Sequence, residues 1–455
     1  MKNRVSRRDF SRAALATAAA GAVPVPAASG RVAGANDRVN LGCIGVGNRG
    51  VQVLNAFCAH ADARVVALAD VYEPYLHGAY DRTDPRFKPL GKRVPTRQPD
   101  FGAPVERFKD FRRLLDRKDI DAVVVATPDH WHAIQATMAC AAGKDVYVEK
   151  PLSVTVREGR RIVEAARKYD RVVQVGTQRR SSGLYAKLAG LVRSGALGKV
   201  TGLRACYASN MTPAGIGLSA DSDPPEGLDW DLWLGPRPAR PFNQDILPYK
   251  FRWWHLYSSQ MANWGVHYFD VMRWMVGEEA PASLSAHGGA FAVKDARTIP
   301  DTAEVLFELP SGALMTFGLY EANGHPGLKA GEIELRGTLG TAHAGIDRFT
   351  ITPERGGQFQ DPAPRRKAQV ETEAVTSEDL DRAHARDFLD CLKARRRPAA
   401  DAEVGHRSTT FALLANVALA TRARLDWDAA AERFTNNDSA NELLDYEYRP
   451  PWTHG

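Results

Sequence analysis

Cysteine is scarce in these 455 residues: Cys43, Cys58, Cys140, Cys206 and Cys391 are the whole set, and no two form a Cys-x-x-Cys pair. An odd, scattered set argues against a disulfide framework or a zinc site; a free cysteine within an apolar segment behaves as a small hydrophobe. No apolar run reaches the roughly 20 residues that a spanning helix needs, which excludes a polytopic membrane protein. No repeat period is visible, so solenoid architectures are out. What is present is ordinary: 44% hydrophobic and 25% charged residues in a chain long enough for two domains with real cores.

The net charge of +6 suggests an acidic partner such as nucleic acid until its location is traced. Residues 1–35 hold Lys2, Arg4, Arg7, Arg8, Arg12 and Arg31 against Asp9, which is nearly all of the excess. The remainder is close to neutral, so no nucleic-acid partner is expected. Within that segment a basic stretch, Ser6-Arg7-Arg8-Asp9-Phe10, precedes the apolar Ala13–Ala22 and then small residues and prolines. This order reads as a twin-arginine signal, cut after Ala35 or near Ala27–Ser29. The chain is therefore expected to use the twin-arginine machinery and reach the periplasm, without stable membrane insertion.

Residues 36–177 alternate short apolar runs with helical spacing. Strands are predicted at 40–47, 64–70, 121–127, 145–149 and 172–175, and helices at 49–59, 108–115, 132–142 and 156–168. Strands apolar throughout, separated by helices, imply a doubly wound parallel sheet covered on both faces, an α/β Rossmann domain. Gly45-x-Gly47-x-x-Gly50 falls between the first strand and helix. Alone such a motif is as often a plain turn. Here Asp70 ends the second strand, 20 residues on, where a carboxylate bonds a ribose 2′-hydroxyl and repels a 2′-phosphate. NAD is favoured over NADP.

Residues 178–455 read as an α+β domain with a mostly antiparallel sheet and helices to one side. Alternating segments lie at 200–208, 284–292, 303–309, 313–320 and 331–336, and helices at 184–194, 261–276, 380–394 and 405–424. An aromatic-rich loop runs through Trp230, Trp233, Phe251, Trp253, Trp254 and His255. The Arg365-Arg366-Lys367 run reads as solvated loop.

Three further segments resemble the Gfo/Idh/MocA oxidoreductases: Ala126-Thr127-Pro128-Asp129-His130-Trp131-His132, then Glu149-Lys150-Pro151, then Trp264-Gly265-Val266-His267-Tyr268-Phe269-Asp270. With the glycine turn they occur in the family's order over nearly all of the chain after residue 36. The resemblance implies a Rossmann domain joined to an antiparallel-sheet domain that holds substrate and often mediates homo-oligomers, acting with NAD(P) on a hydroxyl of a sugar, cyclitol or related polyol.

It also implies that Gly45, Gly47, Asn48, Arg49, Gly50, Asp70, Thr127, Pro128, Asp129, His130, Trp131, His132, Glu149, Lys150 and Gln178 surround NAD. Lys150 and His267 would be the acid–base pair at the substrate hydroxyl. A lysine desolvated at a strand's end is driven toward neutrality, and a histidine titrates near pH 7, so both suit proton transfer. Arg179, Arg252, Trp253 and Asn263 are the candidate substrate contacts. No metal is expected, since His130 and His132 lack a third ligand nearby. Many relatives carry Asp where this chain has Asn263, four residues before His267. An exported oxidoreductase is the leading expectation. The alternatives are a glycosidase with tightly held NAD working by oxidation, elimination, addition and re-reduction, whose known members lack the lysine of Glu-Lys-Pro, and a non-catalytic NAD- or carbohydrate-binding protein.

Overall fold

The computed structural model describes residues 38–328, 331–365, 371–375 and 379–453; the expected signal segment, Arg366 and Lys367 lie outside them. The apolar runs of the first third form six parallel strands in the order β3-β2-β1-β4-β5-β6. They are β1 Val39–Ile44, β2 Ala63–Ala69, β3 Glu106–Phe108, β4 Ala122–Val125, β5 Asp145–Val148 and β6 Val173–Val175. Every residue of β4, β5 and β6 is buried. Helices α1 Asn48–Cys58, α2 Phe111–Leu115, α3 His132–Ala141 and α4 Val156–Lys168 cover the faces. The strand order reverses between β1 and β4, which opens a crevice at their carboxyl ends.

The local start signals act as physics requires. α4 begins at a capping box, with the Thr155 hydroxyl accepting from Glu158 N–H while the Glu158 side chain accepts from Thr155 N–H. α2 starts three residues later than expected. Phe108 pairs beside Ala69 at the sheet edge instead, and the Asp110 side chain caps the helix by accepting from Arg112 N–H.

Among the described residues the second sheet has ten strands in the order β14-β13-β12-β11-β7-β10-β9-β8-β15-β16. They are β7 Val200–Ala208, β8 Ser283–Gly289, β9 Thr302–Glu308, β10 Leu314–Tyr320, β11 Ile333–Gly337, β12 Gly340–Ala344, β13 Arg348–Pro353, β14 Glu371–Ala374, β15 Leu425–Asp428 and β16 Arg433–Phe434. One ladder departs from the antiparallel pattern: β10 runs parallel to β7. A long crossover separates β7 from the β8-β9-β10 meander, and that meander returns with its last strand beside β7 in the same direction.

Helices α5 Gly183–Arg193, α6 Val266–Val276, α7 Leu380–Ala394 and α8 Ala402–Thr421 complete the main elements. Phe269 of α6 and Phe411 of α8 interlock with Phe307 and Phe317 over this sheet. α7 and α8 also return to the first sheet. Phe388 packs against Phe57 and Tyr147, and Ala400 accepts from Val175 N–H at the edge of β6.

Arg160 on α4 joins this seam by binding Glu403 with both terminal nitrogens (2.8 and 3.0 Å) and Glu432 at 2.7 Å. Burial pushes both carboxyls up, but hydrogen bonds from Arg160, with His406 on Glu432 and Arg407 on Glu403, overcome it and hold each down to about 2. Depressed carboxyls stabilise the fold above the ordinary glutamate range and lose that contribution as pH falls toward their folded values. Arg160→Met should therefore lower Tm by a constant amount above about pH 5, with the difference shrinking toward pH 2.5. A Tm difference independent of pH would show that the ion cluster does not carry the effect.

Candidate active site

A cavity of about 670 Å³ occupies the crevice and is lined by the carboxyl ends of first-sheet strands, the aromatic loop and the starts of α6 and α7. Its floor is the glycine turn. Gly45 has φ +88°, and a Cβ there would lie 2.8 Å from the Ala126 and Thr127 backbone; a Cβ on Gly50 would lie 2.0 Å from the Gly45 carbonyl oxygen. Gly45 and Gly47 line the cavity, whereas Gly50 sits behind them as the contact between α1 and the turn. α1 opens on the cavity with no side-chain cap and no acid in its first turn, so its amides are available to an anion. Asp70 stands at the end of β2, accepting from Val46 N–H (2.8 Å) and Tyr72 N–H (2.9 Å). Burial pushes its carboxyl up to about 6 against those hydrogen bonds. A glycine-walled anion cradle and a strand-end carboxylate are the two features a dinucleotide requires, and the residues present fit it.

Arg49 lines the cavity but is also a brace. Its Nε donates to Glu149 at 2.8 Å, and its terminal nitrogens donate to both Asp381 oxygens at 2.8 Å. Glu149 and Asp381 overcome the burial of the guanidinium and raise its pKa well above the ordinary value. Asp379, Leu380 and Asp381, at the start of α7, thus enter the wall, with Asp381 332 residues beyond Arg49 in sequence. Nothing in the sequence marks Asp381 among the many acids.

The Thr127–His132 segment splits. Thr127, Pro128, Asp129 and Trp131 face the cavity, with Asp129 accepting from the Ser258 hydroxyl. His130 and His132 do not line it, which corrects their assignment as cofactor contacts. Both are fully buried; the His130 Nε2 lies 2.9 Å from the Trp233 carbonyl oxygen, and the His132 ring nitrogens lie on those of Pro151 (2.7 Å) and Thr127 (3.0 Å). Burial drives His130 down to about 3, so it stays neutral. These histidines fix the turn from behind.

Trp253 is a second correction. It is not among the residues lining the cavity, is buried, and donates to Glu321 at 2.8 Å. Trp233, Tyr249 and Trp264 are among the rings that do line it, the last stacked on Tyr207 with centroids 4.3 Å apart. Trp264 sits inside a motif the sequence exposes, but a loop's sequence does not show which ring turns inward. Arg252 lies on the wall, donating to the Tyr249 carbonyl at 2.9 Å with its guanidinium over that ring. Arg179 lines the same region, 2.8 Å from Glu332, and Gln178 presents a buried Oε1 with no partner.

At the centre, Lys150 follows β5 and its Nζ donates to two oxygens of Asn263, the backbone carbonyl at 2.9 Å and Oδ1 at 2.8 Å. Asn263 belongs to a π-helical turn, Met261–Gly265, that runs straight into α6. Such wide turns release backbone groups from the helical ladder and recur at functional sites. Burial lowers Lys150 to about 8; Glu149 and Asp129 oppose this, while Arg252 and Arg49 assist. His267, in the first turn of α6, is pushed well below its usual value by burial and then by Lys150, Arg179 and Arg49. It is neutral, with Nδ1 buried and unpartnered.

The sequence matches three descriptions of one family. Residues 39–177 match "Oxidoreductase family, NAD-binding Rossmann fold", residues 233–343 "GFO/IDH/MocA C-terminal domain", and residues 367–454 "Oxidoreductase family, C-terminal alpha/beta domain". The chain belongs to the Gfo/Idh/MocA oxidoreductase family, and its cofactor is NAD. It is similar to inositol 2-dehydrogenase 2 of Saccharopolyspora erythraea, 27% identical over 334 residues, which are 71% of this chain and 81% of the relative. It is also similar to glycosyl hydrolase family 109 protein 2 of Shewanella sp. strain ANA-3, 32% identical over 182 residues. That match covers 35% of this chain and 36% of the relative, so it spans about a third of each. Among solved structures, levoglucosan dehydrogenase with NADH and L-sorbose has a TM-score of 0.63 at 18% identity, covering 86% of this chain and 99% of that one. Aldose-aldose oxidoreductase from Caulobacter crescentus gives 0.59 at 19% identity, with 86% and 99% covered. At that identity these likenesses establish the fold.

Proposed function

We propose that this chain is an exported NAD-dependent oxidoreductase that oxidises or reduces a hydroxyl carbon of a sugar, cyclitol or glycoside. The observation that carries the reading is Lys150, lowered to about 8 and held by Asn263 in the cavity that the glycine turn also lines. Gly45, Gly47, Asn48 and Asp70 would hold the pyrophosphate and ribose, with Thr127, Pro128, Asp129, Trp131, Glu149 and Gln178 along the rest of the cofactor. NAD supplies a hydride acceptor at the substrate carbon.

About a tenth of Lys150 is neutral at pH 7, enough to accept the hydroxyl proton as the carbon–hydrogen bond is lost and the carbonyl forms. Neutral His267 accepts or donates a hydrogen bond to the same hydroxyl. Arg252, Arg179 and the rings of Tyr249 and Trp264 orient the remaining substrate. Twin-arginine export of an already folded, NAD-loaded protein accounts for residues 1–35.

The partial match to a family 109 glycosidase supports a second reading, in which hydride leaves and returns within one turnover. Both are tested together. Protein purified from the cytoplasm is denatured and its released NAD assayed, and intact protein is offered aryl glycosides and free sugars without added cofactor. Glycoside turnover with stoichiometric bound NAD and no net NADH selects the glycosidase; absence of bound or bindable NAD defeats both.

A further inference from the structure

Lys150 is the end of a buried chain of side chains, and the chain has a direction. Asn263 accepts from Lys150 through Oδ1 (2.8 Å) and donates through Nδ2 to Gln260 Oε1 (2.9 Å). Gln260 donates through Nε2 to Glu321 Oε1 (2.8 Å). The other Glu321 oxygen accepts from Arg297 (2.6 Å) and from Trp253 (2.8 Å). All five partners beyond Lys150 are buried, and Glu321 has no exposed surface.

An amide can present either oxygen or nitrogen at a given place, and neither Asn263 nor Gln260 can choose for itself. A carboxylate can choose, because it only accepts. With Arg297 and Trp253 donating to one oxygen, the other must also meet a donor, which turns Gln260 so that its Nε2 faces Glu321. Gln260 then shows oxygen to Asn263, and Asn263 shows oxygen to Lys150. We propose that Glu321, acting through Gln260, is a positioning residue that fixes Asn263 with its carbonyl oxygen toward Lys150 and so sets the proton affinity of the amine.

This gives Asn263 a role that an aspartate at the same place would fill without help, since a carboxylate accepts whichever way it turns. The amide leaves Lys150 without a paired negative charge but still supplies an acceptor to its ammonium form. The groups otherwise facing Lys150 are Glu149 beside it, Asp129 after β4, Arg49 on α1, Arg252 on the aromatic loop and His267 on α6. None belongs to the chain of amides.

Glu321→Gln reverses the chain. Arg297 and Trp253 hold the new amide's oxygen, so its nitrogen faces Gln260; Gln260 and Asn263 then rotate where Lys150 is neutral and can accept from Nδ2, which favours the free amine over the ammonium. Arg297 keeps Asp295 at 2.8 and 2.9 Å, so no guanidinium is stranded. The double variant Glu321→Gln/Gln260→Glu puts the carboxylate one step nearer. It accepts from both neighbouring amides and restores the orientation of Asn263.

The measurement is the pH dependence of Lys150 acylation by an amine-reactive reagent, followed by peptide mass, beside the acid limb of kcat/KM. Loss of an acceptor facing an ammonium should move the E321Q midpoint down by about one pH unit. The double variant should return it to the wild-type value or above. An unchanged midpoint in folded E321Q overturns the proposal, as does a double variant that falls with the single one; the double variant decides alone if E321Q does not fold. The inference takes Lys150 as the proton acceptor proposed above, but the acylation midpoint reads its environment even if turnover is of another kind.

Discussion

Lys150→Met should remove about three orders of magnitude of turnover while leaving NAD affinity within about tenfold. The methionine refills the volume of the lysine stem, so packing changes little, but no group remains to accept the hydroxyl proton. The partners left behind are two oxygens of Asn263, one on the backbone of a π-turn. Both lie beside a cavity that water enters, which limits the structural cost to a few kcal/mol at most. The glycine turn and Asp70 are untouched, because they belong to β1, α1 and β2 while Lys150 follows β5. The check is single-turnover and steady-state kinetics beside NAD titration by fluorescence. Turnover within tenfold of wild type would falsify the assignment of Lys150 and leave neutral His267 as the group to pursue.

How far the sequence reaches depends on which interactions are local. α4 and α7 fall on the residues expected, because both start at side-chain caps, Thr155 with Glu158 and Asp379, that are read directly from neighbouring positions. β12, a Gly-Thr-Ala-His-Ala segment, carries little strand preference of its own and exists because it pairs with β11 and β13. β15 pairs with β8, some 140 residues earlier, and no window of sequence contains both.

The site divides the same way. Three of the motifs locate the crevice, since the glycine turn, Ala126–His132 and Glu149–Pro151 each lie at the carboxyl end of a strand whose pattern is plain. They do not say which side chain of a motif turns inward, so His130 and His132 read as contacts while the structure turns Pro128, Asp129 and Trp131 to the cavity. Trp253 reads as a substrate contact for the same reason, while Trp264, given no role of its own, lines the cavity. Asn263 was visible as a departure from a family pattern, but its partners Gln260 and Glu321 come from the π-turn's entry and the end of β10, which only the fold brings together.

Glycines of one motif should behave differently when each gains a single methyl. At Gly50 the added carbon would stand 2.0 Å from a backbone oxygen of Gly45, and neither partner is a flexible side-chain tip. α1 must move off the turn, so Gly50→Ala should lower Tm of the NAD-free protein by about 10 °C and weaken NAD by about a hundredfold or more. At Gly47 the same methyl meets the Tyr75 ring at 3.6 Å, an ordinary contact. Gly47→Ala should therefore keep Tm without cofactor, yet lose NAD affinity, because this glycine lines the cavity where a pyrophosphate approaches the backbone. Thermal unfolding with and without saturating NAD separates the two. Equal losses of Tm without cofactor would mean that the motif is a plain packed turn; loss at Gly50 with ligand-dependent loss at Gly47 assigns one glycine to helix–strand packing and the other to the dinucleotide.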